Sequence, residues 1–481
     1  MHKLRIAFVI DRVGVVDVLS IPQVAGYVLQ RGHEAVLIEY GRKPDRALRD
    51  LEAFAPDIIA YSVCSNEIDR YLAINRDLKS QLRFFALFGG PHPTFTPSLI
   101  EEEGVDAICR GEADLVFPQF LDRFGTDAMY EVSNFAFHVP GGKVRENTLA
   151  DLVPDLDAFP FPARELLFNK SRFMARNPIK AFMAGRGCPF GCAYCFNNAY
   201  NQLYSGKGRI LRIKSVNYLL KEIRDVRERY PLTFVRFHDD VFGYDSDWLA
   251  EFAERFPVEI SLRFSCYMHP RMATEKAVKL LKKAGCHAVC MAVECGNERI
   301  RNEVLKRSVS NDEIVASAQR LKRAGLQLLT FNMIGIPGET KKDIFDTIRL
   351  NRQIGTDFAD VSIFYPFPGT QAHAYCLDHK FLDAENCEFE NAYSRSYLNL
   401  DPAFKRHIFL WHKLFLSLIE HPGLENLVCK LPEWRMIDDL LHLHYRFQYG
   451  RLLHKHIYAS SIPFTAQLLG AADVLFSQNR I

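Results

Sequence analysis

Residues 185–196 read Gly185-Arg186-Gly187-Cys188-Pro189-Phe190-Gly191-Cys192-Ala193-Tyr194-Cys195-Phe196. The apolar run Ile179–Ala184 leads into this stretch and reads as a strand. Cysteines spaced Cys188-x3-Cys192-x2-Cys195 on one short loop can bring three thiolates to a single metal centre. A closed structural zinc site takes four ligands, usually as two pairs. Here the next cysteine along the chain is Cys266. Three thiolates suit an iron–sulfur cubane, a [4Fe–4S] cluster, whose fourth iron stays open to coordinate a substrate. A zinc knuckle borrowing a distant ligand, or unrelated buried cysteines, are the other readings of the spacing alone.

Outward from the loop, strand and helix patterns alternate between about residues 178 and 385. The strands expected after Ile179–Ala184 are Thr233–Phe237, Glu259–Ser265, Ala288–Glu294, Leu326–Ile334 and Asp360–Phe364. Helical spacing fills the gaps at Val216–Arg229, Asp247–Arg255, Glu275–Ala284, Asp312–Ala324 and Lys342–Ile354. Six strands with crossover helices predict a partial (β/α)6 barrel, with a second doubly wound sheet as the competing arrangement.

A similar alternation precedes it. Arg5–Ile10, Glu34–Tyr40, Asp57–Val63, Phe84–Phe88 and Ala107–Cys109 read as strands, with helices at Ile21–Gln30 and Ile68–Leu78. This predicts a parallel, doubly wound, Rossmann-like (flavodoxin-like) domain over about residues 1–150. Its ligand belongs beyond the carboxyl ends of the strands. Leu152–Arg164 holds three prolines and reads as an extended linker, reaching to about residue 175. The barrel takes about 176–385. The remainder, about 386–481, is mostly helical, with amphipathic stretches at Arg406–Glu420 and Leu431–Tyr445.

A net charge of +2 gives no strong field toward nucleic acid or an anionic membrane. The first apolar run is broken at Asp11-Arg12, too short for a secretory signal. No stretch reaches the roughly 18 apolar residues of a membrane span. The cytoplasm is therefore the expected compartment, where the twelve cysteines stay reduced and close grouping points to metal or catalysis.

The cysteine loop resembles that of the radical SAM superfamily, with Tyr194 at the aromatic position before the third cysteine. The resemblance continues over roughly residues 180–370. His238-Asp239-Asp240 follows the second strand, where the family holds the methionine amino group. Glu294 ends the fourth, at a position that contacts the ribose or the methionyl group. Gly335-Ile336-Pro337-Gly338-Glu339 resembles the adenine-contacting stretch, and Tyr365-Pro366-Phe367-Pro368-Gly369-Thr370 the family's barrel ending. Arg263, on the third strand, is a candidate for the carboxylate of S-adenosylmethionine (SAM). Each residue also has a structural reading: Asp239 as a helix N-cap, Glu294 as a barrel-lining carboxylate, Arg263 as one half of a salt bridge.

The first domain resembles the cobalamin-binding domains that precede many radical SAM domains. The stretches that carry the likeness are Ser62-Val63-Cys64-Ser65-Asn66, Gly89-Gly90-Pro91-His92-Pro93-Thr94 and Gly111-Glu112. Paired glycines let backbone approach a large flat ligand. The histidine that ligates cobalt in Asp-x-His-x-x-Gly proteins is replaced here by Val13, which cannot coordinate a metal. His92 is a substitute ligand or a turn-stabilising residue.

Together the resemblances imply a cobalamin-dependent radical SAM methyltransferase acting on an unactivated carbon. The implied cofactors are a [4Fe–4S] cluster, SAM and cobalamin, with a small-molecule or lipid-like substrate and an external low-potential electron donor. The same architecture serves oxidative cyclisation or ring rearrangement. A non-enzymatic corrinoid or metal carrier is the alternative outside enzymes.

Overall fold

The computed structural model describes residues 3–14, 18–383, 395–428, 430–432, 434–452 and 455–456. They fall into two compact units. One holds the described residues up to Asn177 together with Tyr200–Arg212; the other holds Pro178–Ala199 and the described residues from Ile213 onward.

The first unit is built on β1 (Arg5–Ile10), β2 (Glu34–Glu39), β3 (Ile58–Ser62), β4 (Phe85–Gly89), β5 (Ala107–Cys109), β6 (Phe135–Val139) and β7 (Lys143–Glu146). Their order in the sheet is β2-β1-β3-β4-β5-β6-β7. The first five pair in parallel. Five of the six residues of β1 are buried, as a central strand covered on both faces requires. The order reverses between β1 and β3, so the loops after these two strands border the crevice where a doubly wound sheet takes its ligand.

The antiparallel hairpin of β6 and β7 extends the sheet beyond the strands expected from sequence. β7 is exposed at all four residues and so lacks the alternation that marks a half-buried strand. Gly141 and Gly142, at φ 93° and 75°, make the turn. Phe120, Phe135 and Phe137 stack beside it, with centroids 4.9 and 5.3 Å apart along the series.

The proline-rich linker is less free than its composition implied. It contains a 3-10 turn, Leu156–Ala158, and its Phe159 packs edge-on against Tyr27 of the helix Ser20–Gln30. Ala163 donates its amide to the Pro22 carbonyl, and Gln23 donates to that of Pro160.

The second unit holds β8 (Ile179–Phe182), β9 (Phe234–Phe237), β10 (Arg263–Met268), β11 (Cys286–Glu294), β12 (Gln327–Ile334) and β13 (Phe358–Ile363). All five pairings are parallel and run in sequence order. With no reversal of strand order, this is a (β/α)6 half-barrel rather than a second doubly wound sheet. The crossover helices begin where side chains cap them: Ser215 for Val216–Arg229, Asp245 for Ser246–Glu259, Thr274 for Glu275–Lys283, and a Ser310–Glu313 capping box for Asn311–Arg323.

One expected strand shifts. Glu259 ends a helix, held by Arg255 one turn back at 2.7 Å, and β10 starts only at Arg263. The helix Pro402–Glu420 packs within the second unit: His412 Nε2 donates to the Val361 carbonyl of β13, and Trp411 meets Phe345 edge-on. The second C-terminal helix spans Arg435–Leu452, later than expected. The strand, helix and loop arrangement is α/β throughout, ending in helices.

Candidate functional site

In a parallel half-barrel every strand ends on the same rim. Here that rim carries the cysteine loop after β8, His238–Asp240 after β9, His269 after β10, Glu294 at the end of β11 and Gly335-Ile336 after β12. Cys188, Cys192 and Cys195 sit together on one loop, and the charge on each of the other two raises the pKa of Cys188. Burial is the larger cause, pushing Cys188 up to about 12 and Cys195 up to about 11. These thiols stay protonated until iron displaces the proton. Among the described residues, no set of three His, Cys, Asp or Glu side chains closes around a single ion. A cubane spreads its three thiolates over three irons. The residues therefore fit the cluster in donor type and in sharing one loop.

The loop is anchored by a buried network. The Tyr194 hydroxyl donates to Glu294 Oε1 at 2.8 Å and accepts from Arg307 at 3.1 Å. Arg307 also donates to Cys192 Sγ at 3.6 Å and to the Ala292 carbonyl at 3.2 Å. Main chain closes the contact: Ala193 N–H reaches the Leu305 carbonyl, and the Ala193 carbonyl accepts from Ala372, both at 2.9 Å. Glu294 follows a register shift in β11 and sits at φ 64°; both features re-aim its side chain toward the loop. Burial raises its pKa, while Arg307 and Tyr194 pull it down. The Phe190 ring of the loop stacks on His269.

Some residues singled out in the sequence have internal partners. Asp239 accepts the Ala184 and Gly185 amides just before the loop, and burial pushes it up to about 7 against those two bonds. It braces the loop entrance and does not cap a helix. The Gly335 and Ile336 amides both donate to Glu339, at 2.6 and 3.1 Å, so the turn is closed on itself. Ile336 itself is 1% exposed, packed in the core with Val304 and Phe364, and its carbonyl accepts the Glu339 amide. Arg263 requires a correction. It is the first residue of β10 and exposed, at the amino end of the strands, opposite the cysteine rim. A strand of six residues spans roughly 20 Å, so Arg263 is too far to hold a carboxylate beside the cluster.

Along the inner barrel wall, Arg236, His238, Tyr267, Phe331, Asp360 and Ser362 are each half-buried, while their strand neighbours on the helix-facing side are buried. The helix-facing side of the strands is thus packed core, and these six residues lie on the less buried face. Tyr267 lies edge-on to Phe331, 5.6 Å between centroids, and the same distance separates it from His238. Asp360 accepts from the Tyr449 hydroxyl at 3.4 Å and is pushed up to about 6 by burial.

In the first unit, Ser62, Ser65, Asn66, Gly89, Gly90 and His92 cluster after β3 and β4. His92 Nδ1 is 3.1 Å from Ser65 Oγ, and its amide donates to the Val63 carbonyl. Gly90, at φ 97°, must lack a side chain because a Cβ would press on the Val63 backbone. Gly89 meets only two carbonyl oxygens near 4 Å, so its face is open. Gly111 and Glu112 are committed elsewhere in the same unit. Arg212 grips both carboxylate oxygens of Glu112, at 2.6 and 2.9 Å, and the Tyr200 hydroxyl donates to it at 2.8 Å. Tyr204 accepts the Glu112 amide, and its ring occupies the space a Gly111 side chain would need. Val13 is buried, its amide donating to Glu39.

The model of the radical SAM superfamily matches residues 183–350, and that of the B12 binding domain matches residues 6–121. The two matches give the chain a B12-binding domain followed by a radical SAM domain. With the two domains come their cofactors, the [4Fe–4S] cluster, SAM and cobalamin. The chain is 26% identical to an uncharacterized methyltransferase of Pyrococcus horikoshii, over 79% of this chain and 81% of that one. It is 21% identical to the cytidylyl-2-hydroxyethylphosphonate methyltransferase of Streptomyces wedmorensis, over 76% and 74%. Its fold matches that of the radical SAM methyltransferase TsrM of Kitasatospora setae, with cobalamin and a [4Fe–4S] cluster bound, at TM-score 0.69 and 13% identity, over 98% and 99% of the two chains. Among the described residues no helix is long and apolar enough to cross a membrane.

Arg307, Tyr200, Tyr204 and Arg212 were not singled out in the sequence. None belongs to a repeated spacing. Their roles depend on partners about 90 to 115 residues away.

Proposed function

We propose that this protein is a cobalamin-dependent radical SAM methyltransferase that methylates an unactivated carbon of a small molecule. One observation carries the reading: a three-cysteine loop, braced by Arg307, Tyr194 and Glu294, on the rim of a half-barrel in a chain that also has a B12-binding domain. When bound, the cluster supplies an electron to split SAM, and cobalamin supplies a transferable methyl group.

The chain's own residues do the rest. Cys188, Cys192 and Cys195 hold the cluster. His238, neutral because burial pushes its pKa down to about 3, can accept or donate one hydrogen bond without adding charge. The Gly335-Ile336 turn, closed on Glu339 and packed on the core, would support a flat base through its backbone. Tyr267 and Phe331 wall the barrel with aromatic surface, which excludes water from a radical. The single carboxylate among them, Asp360, suits a hydrogen-bond donor or cation on the substrate. Ser62, Ser65, Asn66, Gly89, Gly90 and His92 border the B12 crevice, while Gly111 and Glu112 form its frame. The reading includes an external electron donor, no nucleic-acid partner and a cytoplasmic setting.

Resemblance to the anaerobic magnesium-protoporphyrin IX monomethyl ester cyclase of Rubrivivax gelatinosus, 23% identical over 72% of this chain and 63% of that one, supports a second reading with the same cofactors and no methylation. Incubation with SAM deuterated at the methyl group separates the two. The proposal expects S-adenosylhomocysteine and deuteromethylcobalamin. Cobalamin that is bound, reduced and never methylated would favour the cyclase-like reading.

A further inference from the structure

Arg307 occupies an unusual backbone. A π-turn, Ile300–Val304, comes just before it. Its neighbours Lys306 and Ser308 both lie in the left-handed region, at φ 48° and 31°. Side chains with a β-carbon adopt that region at a cost, and strain of this kind persists only where surroundings enforce it. The enforcement is visible. Arg301, fully buried, binds the Cys295 and Val309 carbonyls and the Asn311 side chain, knitting the segment together. The Arg307 amide bonds to the Arg301 carbonyl at 3.0 Å.

The result is an arginine only 8% exposed, its guanidinium turned into the cysteine loop with one N–H 3.6 Å from Cys192 Sγ. Tyr194 alone could anchor the loop through Glu294. The contact with sulfur adds something different: a positive charge and a donor on a cluster ligand.

We propose that Arg307 sets the reduction potential of the cluster by donating to the Cys192 thiolate. This rests on the reading that the three cysteines hold that cluster. Reduction adds one electron from an external one-electron donor and moves no proton, so the cluster gains a unit of negative charge. A buried cation and an N–H···S bond favour the reduced form more than the oxidised one. Arg307 therefore makes the cluster easier to reduce.

The test is an EPR-monitored redox titration of the reconstituted full-length protein without SAM. Arg307→Gln should lower the reduced-to-oxidised ratio at fixed potential at least tenfold, a shift of at least about 59 mV to more negative values for one electron. Arg307→Lys, which keeps the charge without the planar fork, should recover part of this. Tyr194→Phe cuts the loop anchor but leaves the bond to sulfur, and should change the reduced-to-oxidised ratio at fixed potential less than threefold. Equal potentials for wild type and Arg307→Gln, or an equal shift in Tyr194→Phe, would overturn the proposal.

A second measurement covers the case in which Arg307 variants lose the cluster. Wild-type protein carrying guanidino-15N arginine should show 15N hyperfine coupling in pulsed EPR of the reduced cluster. Its absence overturns the proposal. A wild type that assembles no cluster at all would instead overturn the reading of the cysteine loop.

Discussion

Replacing Arg212 by Met should destabilise the first unit far more than removing a surface charge would. The Arg212 side chain is 1% exposed and that of Glu112 15%. Without the guanidinium, the Glu112 carboxylate loses the cation that binds both its oxygens, while the Tyr200 hydroxyl still donates to it. Breaking a buried pair by removing one member costs about 3–5 kcal/mol. For a unit of this size each kcal/mol moves the midpoint by roughly 2–4 °C. The transition of the first unit should therefore fall by roughly 6–20 °C in anaerobic calorimetry. The double variant Arg212→Met, Glu112→Met removes both charges and should recover most of that loss, because no carboxylate is stranded. Cobalamin affinity of Glu112→Gln, measured below the transition, should stay within about threefold of wild type, since the carboxylate is already spoken for. A loss below about 1 kcal/mol in the single variant, or a double variant as unstable as the sum of two singles, would refute the assignment of Glu112 to the frame.

Other consequences are quicker to state. Gly111→Ala places a Cβ against Tyr204 at φ 70° and should destabilise the first unit by more than 1 kcal/mol in urea unfolding; a neutral outcome contradicts the packing. Tyr194→Phe removes a bond to a carboxylate and one from a guanidinium, so cluster loss to a chelator should accelerate and the apo-barrel lose about 1.5–3 kcal/mol. His412 is 3% exposed and burial pushes it down to about 3. Its folded pKa lies below its unfolded value of about 6.5, so its contribution is complete above that pH. It is lost as pH falls toward 3, at about 1.4 kcal/mol per unit. His412→Gln should flatten the stability of the second unit between pH 6.5 and 5, seen as a smaller change in midpoint than in wild type.

The barrel was legible because each strand and helix carries its own period and its own cap. Ser215, Asp245 and Ser310 cap helices whose starts the apolar spacing places within one residue. β7 was not legible, since an edge strand exposed at every residue has no apolar alternation to detect. The error at Glu259 came from a helix continued by a side-chain pair with Arg255, a contact one turn long that outweighs strand propensity. At the site, the spacing places the three cysteines on one loop, and Glu294 ends its strand as expected. Arg263 was misplaced because sequence gives a strand's membership but not the end at which a residue falls. Arg307 gave no signal: what matters about it is a backbone strained on both sides and a sulfur in a distant loop. Gly111-Glu112 stands out only through its likeness to cobalamin-binding domains, and only the fold shows that Arg212 and Tyr200 bind the Glu112 carboxylate.

The most direct measurement is of 5′-deoxyadenosine. Wild-type protein and the triple variant Cys188→Ala, Cys192→Ala, Cys195→Ala are reconstituted anaerobically with iron, sulfide and cobalamin, then given SAM and a strong one-electron reductant. The account predicts 5′-deoxyadenosine from the wild type and none from the variant. Its absence from a wild type that holds the cluster, or its formation by the variant, would contradict the claim that these three cysteines carry the chemistry.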